Sequence, residues 1–110
     1  MQKVIILNDS VLGRNNRELG LKMMRGFLKV LGQREWKPKA VFFMGEAVRL
    51  LTGEFEFLEF LNILEQQGVE LLACRAAVEE LRLEPEIKVG KISSTGTLID
   101  LMEKYEVISM

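Results

Sequence analysis

Apolar residues along this chain fall into two rhythms that alternate from one end to the other. Lys3 to Leu7 is a short β-branched run closed by Asn8-Asp9-Ser10, which predicts a strand buried on both faces. After Gly13 the spacing lengthens. Leu19, Met23, Phe27 and Leu31 recur every four residues with Met24 and Leu28 beside them, predicting a helix with one apolar face. Asn15 or Asn16 would cap its start, Glu18 suits its first turn, and Gly32 marks its end. Gly20 and Gly26 inside it cost up to about 1 kcal/mol each relative to alanine, so close approach to a neighbouring element is the expected reason for them.

The alternation then repeats. Pro38 ends a connection, and Ala40 to Met44 predicts a second continuous apolar strand. Gly45 and Glu46 open a short helical turn through Leu51 that Gly53 stops. Phe57, Phe60, Leu61 and Leu64 mark a second long helix ending at Gly68. Val69 to Ala73 predicts a third strand with Cys74 at its carboxyl end, and Ala76 to Leu83 a helix that Pro85 breaks. Lys88 to Ile92 predicts a fourth strand. Ser93, Ser94 or Thr95 caps a last helix carrying Leu98, Leu101, Met102 and Tyr105, and Glu106 to Ser109 closes the chain as a strand.

Strands alternating with helices through short connections call for right-handed crossovers and a mainly parallel sheet. The expected architecture is a flavodoxin-like, three-layer α/β sandwich on five strands, built as a single domain over residues 1–110. Ligands of such sheets lie beyond the carboxyl ends of the strands. The residues expected there are Asn8 to Gly13, Met44 to Glu46, Cys74 with Arg75, and Ser93 to Gly96.

Composition narrows the chemistry. The apolar share of 48% supports a packed core, and a net charge of −1 with acidic residues interleaved among the basic ones argues against nucleic-acid binding. No stretch is long and apolar enough for a membrane helix, and the first ten residues lack a signal-peptide layout, so no membrane partner and a cytoplasmic location are expected. One cysteine allows no internal disulfide. The absence of histidine removes the commonest general base and zinc ligand, and no metal or organic cofactor is expected.

Cys74 is the one side chain that offers covalent chemistry. At a strand-to-helix junction, unpaired N–H groups should face its thiol and favour the thiolate, with Arg75 adding charge that Glu79 and Glu80 oppose. The plainer reading makes it a small buried hydrophobe. Asn8, Asp9, Ser10, Gly13 and Arg14, with Arg17, read either as an anion-holding loop or as an ordinary polar connection. Gly45 and Glu46 join the same strand-end cleft. Ser93-Ser94-Thr95-Gly96 reads as a cap or as a second anion loop. Phe55, Phe57 and Phe60 are spaced so that at least one ring leaves the main core face, available for a subunit contact.

Three stretches together carry a family likeness: Gly13-Arg14 followed by Glu18-Leu19-Gly20 and Phe27, then Lys39 to Phe43, then Gly68-Val69-Glu70-Leu71-Leu72-Ala73-Cys74. In their order and spacing the chain resembles the DsrE/DsrF-like family of sulfur-handling proteins, and within it the DsrE-like domain of the YedF-type proteins associated with selenium metabolism. The resemblance implies a flavodoxin-like fold, assembly as homotrimers or homohexamers, and a cysteine at the end of the third strand that accepts sulfur as a persulfide. Cys74 falls on that position. The YedF-type pattern has a second cysteine three residues later, where this chain has Ala77.

Two functional expectations follow. In one, the protein is a sulfurtransferase-like carrier of sulfur or selenium that needs no cofactor, with Cys74 taking a sulfane sulfur from a donor protein and handing it to an acceptor protein. In the other, it is a non-catalytic oligomeric module whose strand-end cleft holds a small anion or a partner's segment.

Overall fold

The computed structural model describes residues 2–110. Five strands, β1 (Lys3–Leu7), β2 (Ala40–Phe43), β3 (Glu70–Cys74), β4 (Lys91–Ser93) and β5 (Glu106–Ser109), form one sheet in the order β4-β3-β2-β1-β5. Every neighbouring pair runs parallel, with Leu7 opposite Phe43, Phe43 opposite Ala73, and Cys74 opposite Ser93. All carboxyl ends therefore share one rim.

The helices divide unequally between the two faces. From β1 to β4 the chain steps one way across the sheet, so right-handed crossovers keep all the intervening helices on one side. These are α1 (Arg17–Gln33), a 3-10 segment (Gly45–Thr52), α2 (Leu58–Gln66) and α3 (Arg75–Glu80). The return from β4 to β5 runs the other way and puts α4 (Thr95–Lys104) alone on the opposite face. Strand alternation feeds both layers. Ile5, Leu7, Val41, Phe43, Leu71 and Ala73 pack with Met24, Leu28, Leu61, Leu64 and Val78. Val4, Ile6, Ala40, Phe42 and Leu72 pack with Leu98 and Leu101 of α4. Each fully buried Leu, Ile, Phe or Met contributes roughly 1.5–3 kcal/mol of transfer free energy.

The face of α1 is rotated from the one its four-residue spacing predicts. Gly20, Met24, Leu28 and Leu31 are buried, whereas Leu19 and Met23 remain 52% and 47% exposed. Gly20 causes this. A Cβ there would stand 2.5 Å from the Leu12 carbonyl oxygen, so the helix lies hard against the Val11–Leu12 loop on that side. Gly26 has open space instead of the expected close approach. Asn16 is the cap, its side-chain oxygen accepting from the Leu19 N–H at 3.0 Å.

Other boundaries shift by a few residues. Met44 follows β2 rather than ending it, and β3 extends to Cys74. α2 begins after Phe57 and spans nine residues, so it is a short helix. Helix α3 starts at Arg75 and stops at Glu80, five residues before Pro85, which itself opens a 3-10 turn. The last helix ends before Tyr105, and Met102 on it is exposed. Of the three phenylalanines, Phe57 and Phe60 are core and Phe55 is half-buried. β4 is displaced toward the carboxyl end relative to the predicted Lys88 to Ile92. Lys88 N–H donates to the Leu51 carbonyl, and Gly90, at φ +79°, turns the chain so that the ladder begins only at Lys91. Among the described residues no helix is long and apolar enough to cross a membrane.

Candidate functional site at the carboxyl rim

Parallel pairing brings Asn8, Met44, Cys74 and Ser93 to adjacent places on the rim, one after each of β1 and β2 and at the last residue of β3 and β4. Alternation decides where their side chains go. Leu71 and Ala73 face the α1–α3 layer, so Leu72 and Cys74 face the α4 layer, where Cys74 and Met44 pack at the edge of its apolar cluster. Cys74 is free and half-buried.

This direction overturns the expectation that the helix beginning at Arg75 would present its N–H groups to the thiol. Cys74 is the N-cap residue of α3, but its side chain accepts no capping hydrogen bond. The reason is geometric: α3 packs through Val78 on one face of the sheet while the thiol projects from the other. Arg75 is exposed, as are Glu79 and Glu80. The helix whose start lies on the thiol's own face is α4. Ser93 pairs with Cys74 in the ladder, Ser94 caps α4 by accepting from the Thr97 N–H at 3.2 Å, and Thr95 opens the helix.

The remaining expected site residues do not converge on Cys74. Asp9 accepts from the Ser10 N–H at 2.6 Å and pairs with Arg17 at 3.4 Å, and Arg17 also reaches the Ser10 hydroxyl. A carboxylate of the chain thus occupies the place where the loop after β1 was expected to hold an anion. Gly13 sits at φ +83° and Arg14 is exposed beside it. Asn8 turns to the β5 side, donating to Ser109 and to the Met110 carbonyl. Gly45, at φ +55°, starts the 3-10 segment, and Glu46 binds Arg49 within it. That hydrogen bond, with the Glu46 charge behind it, raises the Arg49 pKa above its ordinary value; Glu54 adds to it.

The sequence pattern marks Ser93 only as a cap or loop residue. Its membership of β4 depends on the Gly90 turn, which no apolar rhythm announces; the positive φ expected of glycine at a strand entrance was the available signal.

No curated protein matches this sequence. Among solved structures, the YchN protein of E. coli superposes with a TM-score of 0.71 at 20% identity, covering 100% of both chains. MTH1491, a protein of unknown function from Methanobacterium thermoautotrophicum, gives 0.69 at 16% identity, again over 100% of both chains. BT1422, a conserved protein of unknown function from Bacteroides thetaiotaomicron, gives 0.68 at 17% identity over 99% of this chain and 95% of its own. These likenesses establish the fold. The sequence itself matches the DsrE/DsrF-like family from residue 1 to residue 110. The chain therefore belongs to the DsrE/DsrF-like family.

Proposed function

We propose that this protein carries sulfane sulfur as a persulfide on Cys74, taking it from a donor protein and passing it to an acceptor protein. The family suggests a role related to sulfur metabolism. The observation that carries the finer reading is the place of its one cysteine, free and half-buried at the carboxyl rim rather than enclosed in either apolar layer. The Cys74 thiolate attacks the outer sulfur of a donor persulfide R–S–SH. The donor S–S bond breaks, a new S–S bond forms to Cys74, and the donor leaves as the thiolate R–S⁻. No net oxidation occurs, and neither a metal nor an organic cofactor takes part. Delivery to the acceptor is the same exchange with Cys74 as the leaving thiolate. Such a cycle keeps Cys74 reduced between turns, as a cytoplasmic setting would.

The same reading has the chain working as a homotrimer or homohexamer. Its support is the flank of α1 turned away from α2, where Leu19, Met23 and Val30 stand exposed around Gly26. Monomers rarely leave such a stripe to water.

Intact-mass spectrometry of the native protein after treatment with a low-molecular-weight persulfide tests the proposal, with Cys74→Ser as control. Wild type gains one or more sulfur atoms and the variant gains none. Folded wild type that takes up no sulfur would sink the carrier reading in favour of a non-catalytic binding module.

A further inference from the structure

Two polar residues are buried among the described residues, and they differ. Ser10 is hydrogen-bonded to Asp9 and approached by Arg17. Ser93, 9% exposed, has no side-chain hydrogen bond to any described residue. It stands beside Cys74 in the β3–β4 ladder, and the shared register sends both side chains to the α4 face. No polar side-chain atom among the described residues is both fully enclosed and unpaired, so the Ser93 hydroxyl keeps some contact with solvent on the face it shares with Cys74. Directly after it comes the opening turn of α4, a ten-residue helix. Ser94 satisfies the Thr97 N–H there, leaving those of Thr95 and Gly96 without a partner inside the helix.

We infer that Ser93 and the opening turn of α4 hold the outer sulfur of a Cys74 persulfide. This rests on the persulfide reading above and names the groups that serve it. The bare Sγ makes no hydrogen bond with them, and an added sulfur extends the side chain by about 2 Å, the length of an S–S bond. Written as the anion Cys74–S–S⁻, the outer atom carries the charge and accepts from the Ser93 hydroxyl and the free amides, which helix α4 also favours by its dipole. The contact exists only in the loaded state. It keeps sulfur on the carrier without altering the empty thiol.

The test equilibrates wild type, Ser93→Ala and Ser93→Thr with a fixed ratio of glutathione persulfide to glutathione and reads the loaded fraction by intact mass. Losing a hydrogen bond to a charged group should lower the loading constant of Ser93→Ala about tenfold, while Ser93→Thr, which keeps the hydroxyl, loads like wild type. The alkylation rate of unloaded Cys74 should be the same in all three. Thr95→Pro removes one of the free amides at the helix position that tolerates proline, and carries the test if Ser93→Ala does not fold; its loading constant should fall as well. Loading of either variant equal to wild type would overturn the inference, as would an equal loss in Ser93→Thr. Wild type that does not load at all removes the persulfide reading itself, and the two failures are thereby distinct.

Discussion

The side-chain amide of Asn8 donates to the Ser109 hydroxyl at 2.8 Å and to the Met110 carbonyl at 3.0 Å, tying the end of β1 to the end of the chain. In the order β4-β3-β2-β1-β5 the strand sequence reverses between β1 and β5, where open α/β sheets usually take their ligands. Here Ser109 and Met110, both exposed, are hydrogen-bonded to the end of β1 on that side. Cys74 lies two strands away, on β3, so the carrier role proposed for it would be displaced from the position its fold class makes available.

Asn8→Ala should therefore loosen the carboxyl end without affecting Cys74. An exposed hydrogen-bond pair of this kind contributes about 0.5–1.5 kcal/mol. Hydrogen exchange at Met110 should quicken by roughly that margin while exchange in β3 stays unchanged. Equal exchange at both places in the variant and wild type would show that the tie carries no stability.

The two glycines of α1 predict opposite outcomes. At Gly20 an added methyl meets the Leu12 carbonyl oxygen and Val11, so Gly20→Ala should cost about 1–3 kcal/mol or more through overpacking. At Gly26 the space is open, and Gly26→Ala should stabilise by about 0.5–1 kcal/mol through helix propensity. Urea unfolding of the two single variants reads both signs. A loss of stability at Gly26 would mean that this flank is closely covered in solution.

The rotated face of the same helix gives a second contrast. Met24→Ala, at a buried position, should cost about 2–5 kcal/mol, whereas Met23→Ala, one residue earlier and exposed, should fall within about 0.5 kcal/mol of wild type in the monomer. Comparable losses at the two positions would restore the four-residue spacing of Leu19, Met23, Phe27 and Leu31 as the core face.

Assembly has its own measurement. If copies meet through Leu19, Met23 and Val30, then Leu19→Lys combined with Met23→Lys should reduce the sedimenting mass to that of one chain. Circular dichroism should remain that of the folded protein. An unchanged mass would place the contact elsewhere on the surface.

The alternation of strands and helices, and with it the parallel sheet, was legible because continuous apolar runs such as Ala40 to Phe43 have no helical period. The four-residue repeat of α1 pointed to a helix but not to its buried side. Leu19 and Met23 are as apolar as Leu28 and Met24, and only the contact of Gly20 with Leu12 selects between them. Cys74 was found at its strand end by sequence. Its direction was not, because a thiol capping α3 and a thiol facing α4 differ by a single step of β alternation. Ser93 escaped for the related reason that its strand enters through a turn at Gly90.

That turn governs more than a boundary. A Cβ on Gly90 would stand 2.7 Å from the Leu71 carbonyl oxygen, so the backbone of the β4 entrance rests directly on β3. β4 has three residues, and a slip of one would carry Ile92 into the place of Ser93. The pairing of hydroxyl and thiol is thus fixed like a vernier whose zero mark is Gly90. A bulkier residue at that one position, remote from the rim and bearing no functional group, would change which side chain stands opposite Cys74 in the ladder.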